Sequence, residues 1–250
     1  MDEVLAISLH AMKGDMARLD QIAMNIANGL TPGFKRGVVH QGAQQASFAA
    51  HLNAALADPA AGPTAGAVTV SSDMRVGSLK ATGQKLDVAL AGKGYFEVMT
   101  DAGPAYTRQG NFRIDAQGRL VTQQGHPVLG HGGEILLQLA DPIISAAGEI
   151  SSAGGGAQRV LARLKVVTFA DASHLQNLGK GLHAAGPGAQ LAKDDEVQVR
   201  QGFLENSNVN SSQEMTSLVQ TMRHFESMQK IAQGYDEMLG TAIRKLTDNS

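Results

Sequence analysis

The 250-residue chain has no cysteine and no tryptophan, and aromatic residues make up only 4% of it. Without thiols it can form no disulfide, run no thiol chemistry and build no cysteine-zinc site. Charge of one sign is lacking too: 21 lysines and arginines stand against 23 aspartates and glutamates, a formal net of −2. With no basic surplus to neutralise phosphates, nucleic acid is not an expected partner. No apolar run approaches the roughly 18 residues that a membrane helix needs, which argues against insertion. Asp2, Glu3, Lys13, Asp15 and Arg18 interrupt the apolar stretch that a cleaved signal peptide requires.

Signatures of catalysis are scarce as well. There is no G-x-S-x-G elbow. Gly92-Lys93-Gly94 lacks the spacing of a phosphate-binding loop and reads as a hairpin turn. Asp194, Asp195 and Glu196 read as a solvated loop, because an acid/base pair needs one member in apolar surroundings. His126, His131 and Glu134 have metal-ligand chemistry, yet they sit among Pro127, Gly130, Gly132 and Gly133 and read as loop residues. No catalytic residue, cofactor or metal site is expected, and the chain does not read as an enzyme.

What the chain does have is two apolar repeats, one at each end. Leu5, Leu9, Met12, Met16, Leu19, Ala23, Ile26 and Leu30 step alternately by four and three, the pattern of a helix whose stripe meets a partner helix. It stops at Thr31-Pro32-Gly33, where proline and glycine favour a turn. Near the other end Met215, Leu218, Met222, Phe225, Met228, Ala232, Tyr235, Leu239, Ala242 and Leu246 repeat similarly, with a slip of three plus three at Phe225. Such a slip predicts local overwinding of the pairing. Ser211 and Glu214 have the spacing of a capping box ahead of it. A methionine-rich stripe is ordinarily core, but it is also an adaptable packing surface. Each helix has only one neighbour in a monomer, so the ends are expected to order on self-association.

Between the ends the texture differs. Residues 37–75 read as an extended connector rich in Ala, Pro and Gly, with a short helix conceivable over Ala43–Leu56. From Val76 onward short apolar runs alternate with turns: Leu86–Leu90, Gly94–Met99, Ala105–Arg108, Asn111–Ile114, Arg119–Thr122, His126–Leu129, Glu134–Leu139 and Gly148–Ile150. Gly118 closes a turn that needs positive φ. Gly154–Gly156 reads as a flexible break, Val160–Phe169 as the longest strand, and Glu196–Arg200 leads into Gly202–Glu205. Short strands at regular spacing, without helical pattern between them, indicate an antiparallel all-β unit. The predicted class is α+β: N- and C-terminal helices paired as a coiled-coil-like layer, with an inserted antiparallel all-β domain. The predicted divisions are residues 1–36 with 205–250 as the helical assembly domain, 37–75 as the connector and 76–204 as the β-rich domain.

Three separated motifs carry a resemblance. Residues 22–35 read I-A-M-N-I-A-N-G-L-T-P-G-F-K. They resemble the N-terminal I-A-N-N-x-A-N-x-x-T-x-G-[FY]-K pattern of the bacterial flagellar rod and hook protein family, departing from it at Met24. Residues 202–210, G-F-L-E-N-S-N-V-N, with Glu214, Met215 and R-H-F-E at 223–226, resemble its C-terminal motif. Leu86–Phe96, Tyr106–Phe112, Asp115–Val121 and Gly125–Gly130 look like its β-domain core. The short length and Arg163–Val167 look most like a basal-body rod member, with a distal-rod or hook-type axial subunit as the alternative.

The resemblance implies a structural subunit of the rod, a shaft that transmits torque, assembling helically through its terminal helices. It implies export by the flagellar type III apparatus without a cleaved signal, and a place in the basal body within the periplasm. The implied partners are further copies and the proximal and distal rod subunits. The residues expected to carry assembly are Leu5, Leu9, Met12, Met16, Leu19, Ile26, Asn28 and Phe34 at one end. At the other they are Met215, Leu218, Met222, Phe225, Met228, Tyr235, Leu239 and Leu246. Head-to-tail contacts that do not close generate filaments, which agrees. A periplasmic cell-wall-acting enzyme would need a catalytic pair, and a coiled-coil adaptor would form a closed dimer or trimer.

Overall fold

The computed structural model describes residues 2–41, 68–137, 142–152, 160–169, 175–185, 189–191 and 198–247. The conceivable helix at Ala43–Leu56, the glycine break at Gly154–Gly156 and the acidic run at Asp194–Glu196 lie outside them. The chain divides into two compact units. Unit 1 holds Met1–Ile26, Gly37–Val70 and Ser211–Ser250; unit 2 holds Ala27–Arg36 and Ser71–Asn210.

Unit 1 contains the helices α1 (Asp2–Ala27) and α2 (Ser211–Thr247). The first strands, β1 (Gly37–Gln41) and β2 (Val68–Ser72), pair with each other, so both ends of the presumed connector are ladder rather than loose chain. α1 stops at Ala27, short of the last member of its apolar repeat. There the Asn28 carbonyl accepts from Thr31 N (3.0 Å) and its side-chain oxygen from Thr31 Oγ1 (3.3 Å). That local pairing competes with helix continuation, and Leu30 is left 99% exposed beyond the helix.

Unit 2 is built of short strands. In chain order they are β3 (Leu79–Ala81), β4 (Val88–Leu90), β5 (Tyr95–Thr100), β6 (Gly103–Thr107), β7 (Arg113–Ile114), β8 (Leu120–Val121), β9 (Leu129–Gly130) and β10 (Gly133–Glu134). Then come β11 (Pro142–Ile144), β12 (Glu149–Ser152), β13 (Val160–Arg163), β14 (Val166–Phe169), β15 (Gln176–Gly179), β16 (Leu182–Ala184), β17 (Ala189–Leu191), β18 (Val199–Gln201) and β19 (Phe203–Glu205). The ladders among them are all antiparallel. The largest sheet runs β15-β16-β6-β5-β14-β17; β11-β12-β13 form a second, and β18-β4, β19-β3 and β7-β8 are two-stranded. Two helices with an antiparallel β body make the class α+β.

Two readings need correction. Gly92–Gly94 is not a hairpin turn: β4 pairs with β18 and β5 with β6 and β14, so the segment carries the chain from one sheet to another. Val160–Phe169 is not one strand. It breaks at Leu164-Lys165, and its halves join different sheets. Leu164, 1% exposed, turns into the core there, and Lys165 N donates to the Leu129 carbonyl (3.1 Å).

Strand pleating explains the two cores of unit 2. Phe96 and Val98 of β5 point into the main core with Val88, Leu120, Ile150 and Leu164, and the Phe96 and Phe112 rings meet edge-on at 5.2 Å. Tyr95 points to the opposite face of the sheet, where it joins Tyr106, Val167 and Leu175. Phe169 meets both tyrosine rings edge-on there, at 5.6 and 4.9 Å.

Candidate assembly surface and its anchoring clusters

The two helices do not hide their apolar stripes. On α1 the buried line is Ser8, Asp15 and Ile22, seven residues apart, together with Gln21 and Asn25. One residue further on, about 100° round the helix, Leu9 and Met16 are 66% and 56% exposed and Ala23 is also exposed. Met12, Leu19 and Ile26 are half-buried between these lines. The α1 stripe is thus turned largely outward, and a polar seam faces inward.

On α2, Glu214 is 1% exposed, and Leu218, Thr221, Phe225, Met228, Ala232 and Tyr235 are half-buried. These step by four and three without interruption. The slip predicted at Phe225 disappears, because Glu214 and Thr221 occupy the seam positions assigned to Met215 and Met222. Those methionines are 56% and 47% exposed, and Val219, Ile231 and Met238 are exposed too. The side chains of Leu5, Leu239 and Leu246 lie outside the described residues.

Within unit 1, side-chain contacts among the described residues join the helices. Asn25 Nδ2 donates to Glu214 Oε2 (3.1 Å), and His224 Nδ1 lies 2.5 Å from Asp15 Oδ2. The contacts are ten residues apart on each helix and in opposite order, so α1 and α2 run antiparallel. Asn25 is a saturated node. Its oxygen accepts from Gly37 N (2.9 Å) and Gln21 Nε2 (3.1 Å), and its nitrogen also donates to the Gly37 carbonyl (2.9 Å). All four hydrogen bonds open to a primary amide are made.

Unit 2 holds a second, charged node that sequence reasoning missed. Glu205, on β19, takes Lys35 Nζ on one oxygen (2.6 Å) and Arg108 on the other (3.3 Å). Their side chains are 1%, 1% and 3% exposed. Gly77 N donates to the same carboxylate (2.9 Å), Lys35 Nζ to the Arg75 carbonyl (2.8 Å) and Arg108 to the Gly92 carbonyl (2.9 Å). The Arg108 guanidinium also stands 5.2 Å above the Tyr95 ring. Burial pushes the Lys35 ammonium below its usual range, and the Glu205 carboxylate opposes that shift. Lys35, Arg108 and Glu205 come one each from the N-terminal, central and C-terminal motifs. No local pattern in the sequence singled them out, since Lys35 and Glu205 stand 170 residues apart.

Backbone geometry explains the motif glycines. Gly33 has φ +68°, and a Cβ there would press on the Arg108 backbone at 2.5 Å. A Cβ on Gly110 would collide with the Val88 carbonyl, because Val88 N bonds to Gly110 O at 2.9 Å. Phe34, assigned to the assembly surface by sequence, is 6% exposed and belongs to the packed body of unit 2. Asn28, also assigned there, is half-buried and shapes the turn after α1.

His131 is exposed, and Glu134 lies 3.7 Å from Arg119. Among the described residues no three His, Cys, Asp or Glu side chains are placed to share a metal ion. No helix among them is long and apolar enough to cross a membrane. His183, 2% exposed beside Tyr95, is pushed down to about 4 by burial, with the Lys35 charge adding to the shift.

The charged node lies inside unit 2, while the terminal helices carry an open apolar line, Leu9, Met16 and Ala23 on α1 and Met215, Val219, Met222, Ile231 and Met238 on α2. That is the organisation of a helix-ended structural subunit. Residues 89–152 match the family described as flagellar hook protein FlgE/F/G D1 domain, and residues 200–245 match the flagellar basal body rod FlgEFG protein C-terminal family. The basal-body rod protein FlgF of Escherichia coli strain K12 is 34% identical over 264 residues, covering 99% of both chains. FlgF of Caulobacter vibrioides is 32% identical, covering 98% of both chains. FlgG of Agrobacterium fabrum is 32% identical, covering 97% of this chain and 98% of its own. The chain belongs to the flagellar basal-body rod protein family, of the FlgF or FlgG type.

Proposed function

We infer that this protein is an axial subunit of the flagellar basal-body rod, adding to a helical shaft through its terminal helices. The observation that carries this is the outward apolar line Leu9–Met16–Ala23, beside an inward polar seam, with Met215, Val219, Met222, Ile231 and Met238 open on α2. Apolar residues at seven-residue spacing on an open helix face are a seam awaiting another helix. In this reading Leu5, Leu9, Met12, Met16, Leu19, Ile26, Met215, Leu218, Met222, Phe225, Met228, Tyr235, Leu239 and Leu246 carry assembly. Residues 1–36 with 205–250 form a coiled-coil-like layer of the shaft, and 76–204 form the β-rich domain. Phe34 and Asn28 shape the turn behind the helix rather than touch a neighbour.

We favour an FlgF-type member on the short length and Arg163–Val167, with an FlgG-type distal-rod or hook-type axial subunit as the alternative. The partners are further copies and adjoining rod subunits, and the site of action is the basal body in the periplasm. The chain reaches it through the flagellar type III exporter. A net of −2 suits dense packing, since strong self-repulsion would oppose it.

The test is polymerisation of the purified chain, alone and with neighbouring rod proteins, followed by sedimentation and electron microscopy. The parent should form elongated particles. A Leu9→Asp/Met16→Asp variant with an unchanged circular dichroism spectrum should stay dispersed. Equal polymerisation of that variant would sink the helix-face assignment.

A further inference from the structure

The turn 31–36 leaves α1 behind, and the segment 205–210 runs on toward α2. Within unit 2 the two are held together unusually firmly. Gly33 N donates to the Glu205 carbonyl (2.7 Å), Lys35 Nζ to the Glu205 carboxylate (2.6 Å) and Arg36 N to Asn208 Oδ1 (2.7 Å). Asn208 Nδ2 then reaches the Asp73 and Arg75 carbonyls (2.8 and 3.1 Å), and Lys35 reaches Arg75 as well. Two side chains, Lys35 and Asn208, therefore bind the same two stretches from both sides. They are joined across 170 and 172 residues of sequence.

The charge arithmetic of this cluster argues against stability as its purpose. Glu205 faces two buried cations, Lys35 and Arg108, which leaves one positive charge in surplus at a site where burial already lowers the Lys35 ammonium. Buried ion groups of this kind commonly gain little over an apolar replacement. Removing Lys35 would strand nothing: Glu205 keeps Arg108 and Gly77 N, and the Arg75 carbonyl keeps Asn208. What would be lost is a side-chain tie between the turn and β19, leaving the Gly33 N bond to the Glu205 carbonyl to hold them.

We propose that Lys35 and Asn208 are positioning residues that pin the turn after α1 onto the segment before α2, setting one spacing for the two roots from which the terminal helices leave unit 2. Their bearing on assembly rests on the rod-subunit reading above; their pinning of the turn does not. Helices entering a regular shaft need a single root geometry, because a spread of root positions multiplies the arrangements that must be given up on docking.

The absence of cysteine permits selective spin labelling at Leu30→Cys and Lys80→Cys. Both positions are exposed, one on the turn and one on β3 beside β19. The labelled chain, dilute and unpolymerised, should give one narrow distance distribution. Lys35→Met should widen it, and Lys35→Met/Asn208→Ala should widen it at least about twofold, with cooperative melting retained and Tm lowered by less than about 10 °C. A distribution as narrow as the parent's, or loss of cooperative melting in Lys35→Met, would overturn the proposal.

In the unlabelled chain the double variant should raise the critical concentration for polymerisation about tenfold, and an unchanged value would remove the pin's role in assembly. A parent that never polymerises counts against the rod reading alone, since the distance measurement decides the pin without assembly.

Discussion

The two units bury opposite kinds of residue. In unit 2 the interior is Phe96, Val98, Leu120, Ile150 and Leu164, and Lys35 and Arg108 are buried against one carboxylate, Glu205. In unit 1 the inward line of α1 is Ser8, Asp15, Gln21 and Asn25, with Ile22 as its large buried aliphatic, while Leu9 and Met16 look outward. Apolar burial drives folding in rough proportion to area, so unit 2 has a driving force of its own. Unit 1 keeps part of its driving force unused within the single chain, where another helix can take it up. The contrast separates a body with an enclosed apolar core from helices with an open apolar face.

The comparison can be pressed hardest at the core. Phe96→Ala removes a ring with 0% exposure that packs edge-on against Phe112, and should cost about 3–5 kcal/mol in urea unfolding of the β signal. Glu205→Leu leaves Lys35 and Arg108 buried without a counter-charge and should cost a similar 3–5 kcal/mol, whereas Lys35→Met, which strands no charge, should cost far less. Equal losses from the two would mean that the node is not as dry as its geometry indicates.

Acid sharpens the contrast from another side. His183 titrates near 4 when folded, against an ordinary value of 6.5. The unfolded chain therefore takes up the proton first as the pH falls. Stability from this group is full above about pH 6.5, declines between there and about 4, and is level below, a loss of about 3 kcal/mol. His183→Leu should remove that part of the acid limb in a pH series of urea melts.

Effects in unit 1 should be smaller and local. Asn25→Ala removes the acceptor of the Gly37 amide and of Gln21 and one donor to Glu214, and should cost about 2 kcal/mol, read as lost hydrogen-exchange protection at the Gly37 amide. Leu9→Asp/Met16→Asp should change the melting of the dilute chain by under about 0.5 kcal/mol, because both side chains are already exposed, yet abolish polymerisation. A large loss of stability there would show that the stripe is internal after all.

Much was legible in the order of residues. The periodicity of 3.5 at the ends and the short alternating runs between them located two helices and an antiparallel body, since those periods are set by backbone geometry alone. The three motifs located the family. The sequence could not tell which side of α1 faces inward. Leu9, Met12 and Met16 form the obvious stripe, but the inward line is chosen by where Asn25, Asp15 and Glu214 find partners, and a buried amide or carboxylate must be satisfied whereas a leucine may stay wet. The same reasoning explains the slip at Phe225, which vanished once Thr221 and Glu214 took seam positions that hydrophobicity had given to methionines.

The longest expected strand, Val160–Phe169, divided because hydrophobicity sets how much chain is buried and not which sheet receives it. The Lys35–Arg108–Glu205 node lay beyond any local pattern for a simpler reason: its members are up to 170 residues apart. Sequence by itself determined the period of each element, the class α+β and the kinship with the rod proteins. Only the tertiary structure decided which faces are hidden and which charges meet, because both depend on contacts between residues that no local rule brings together.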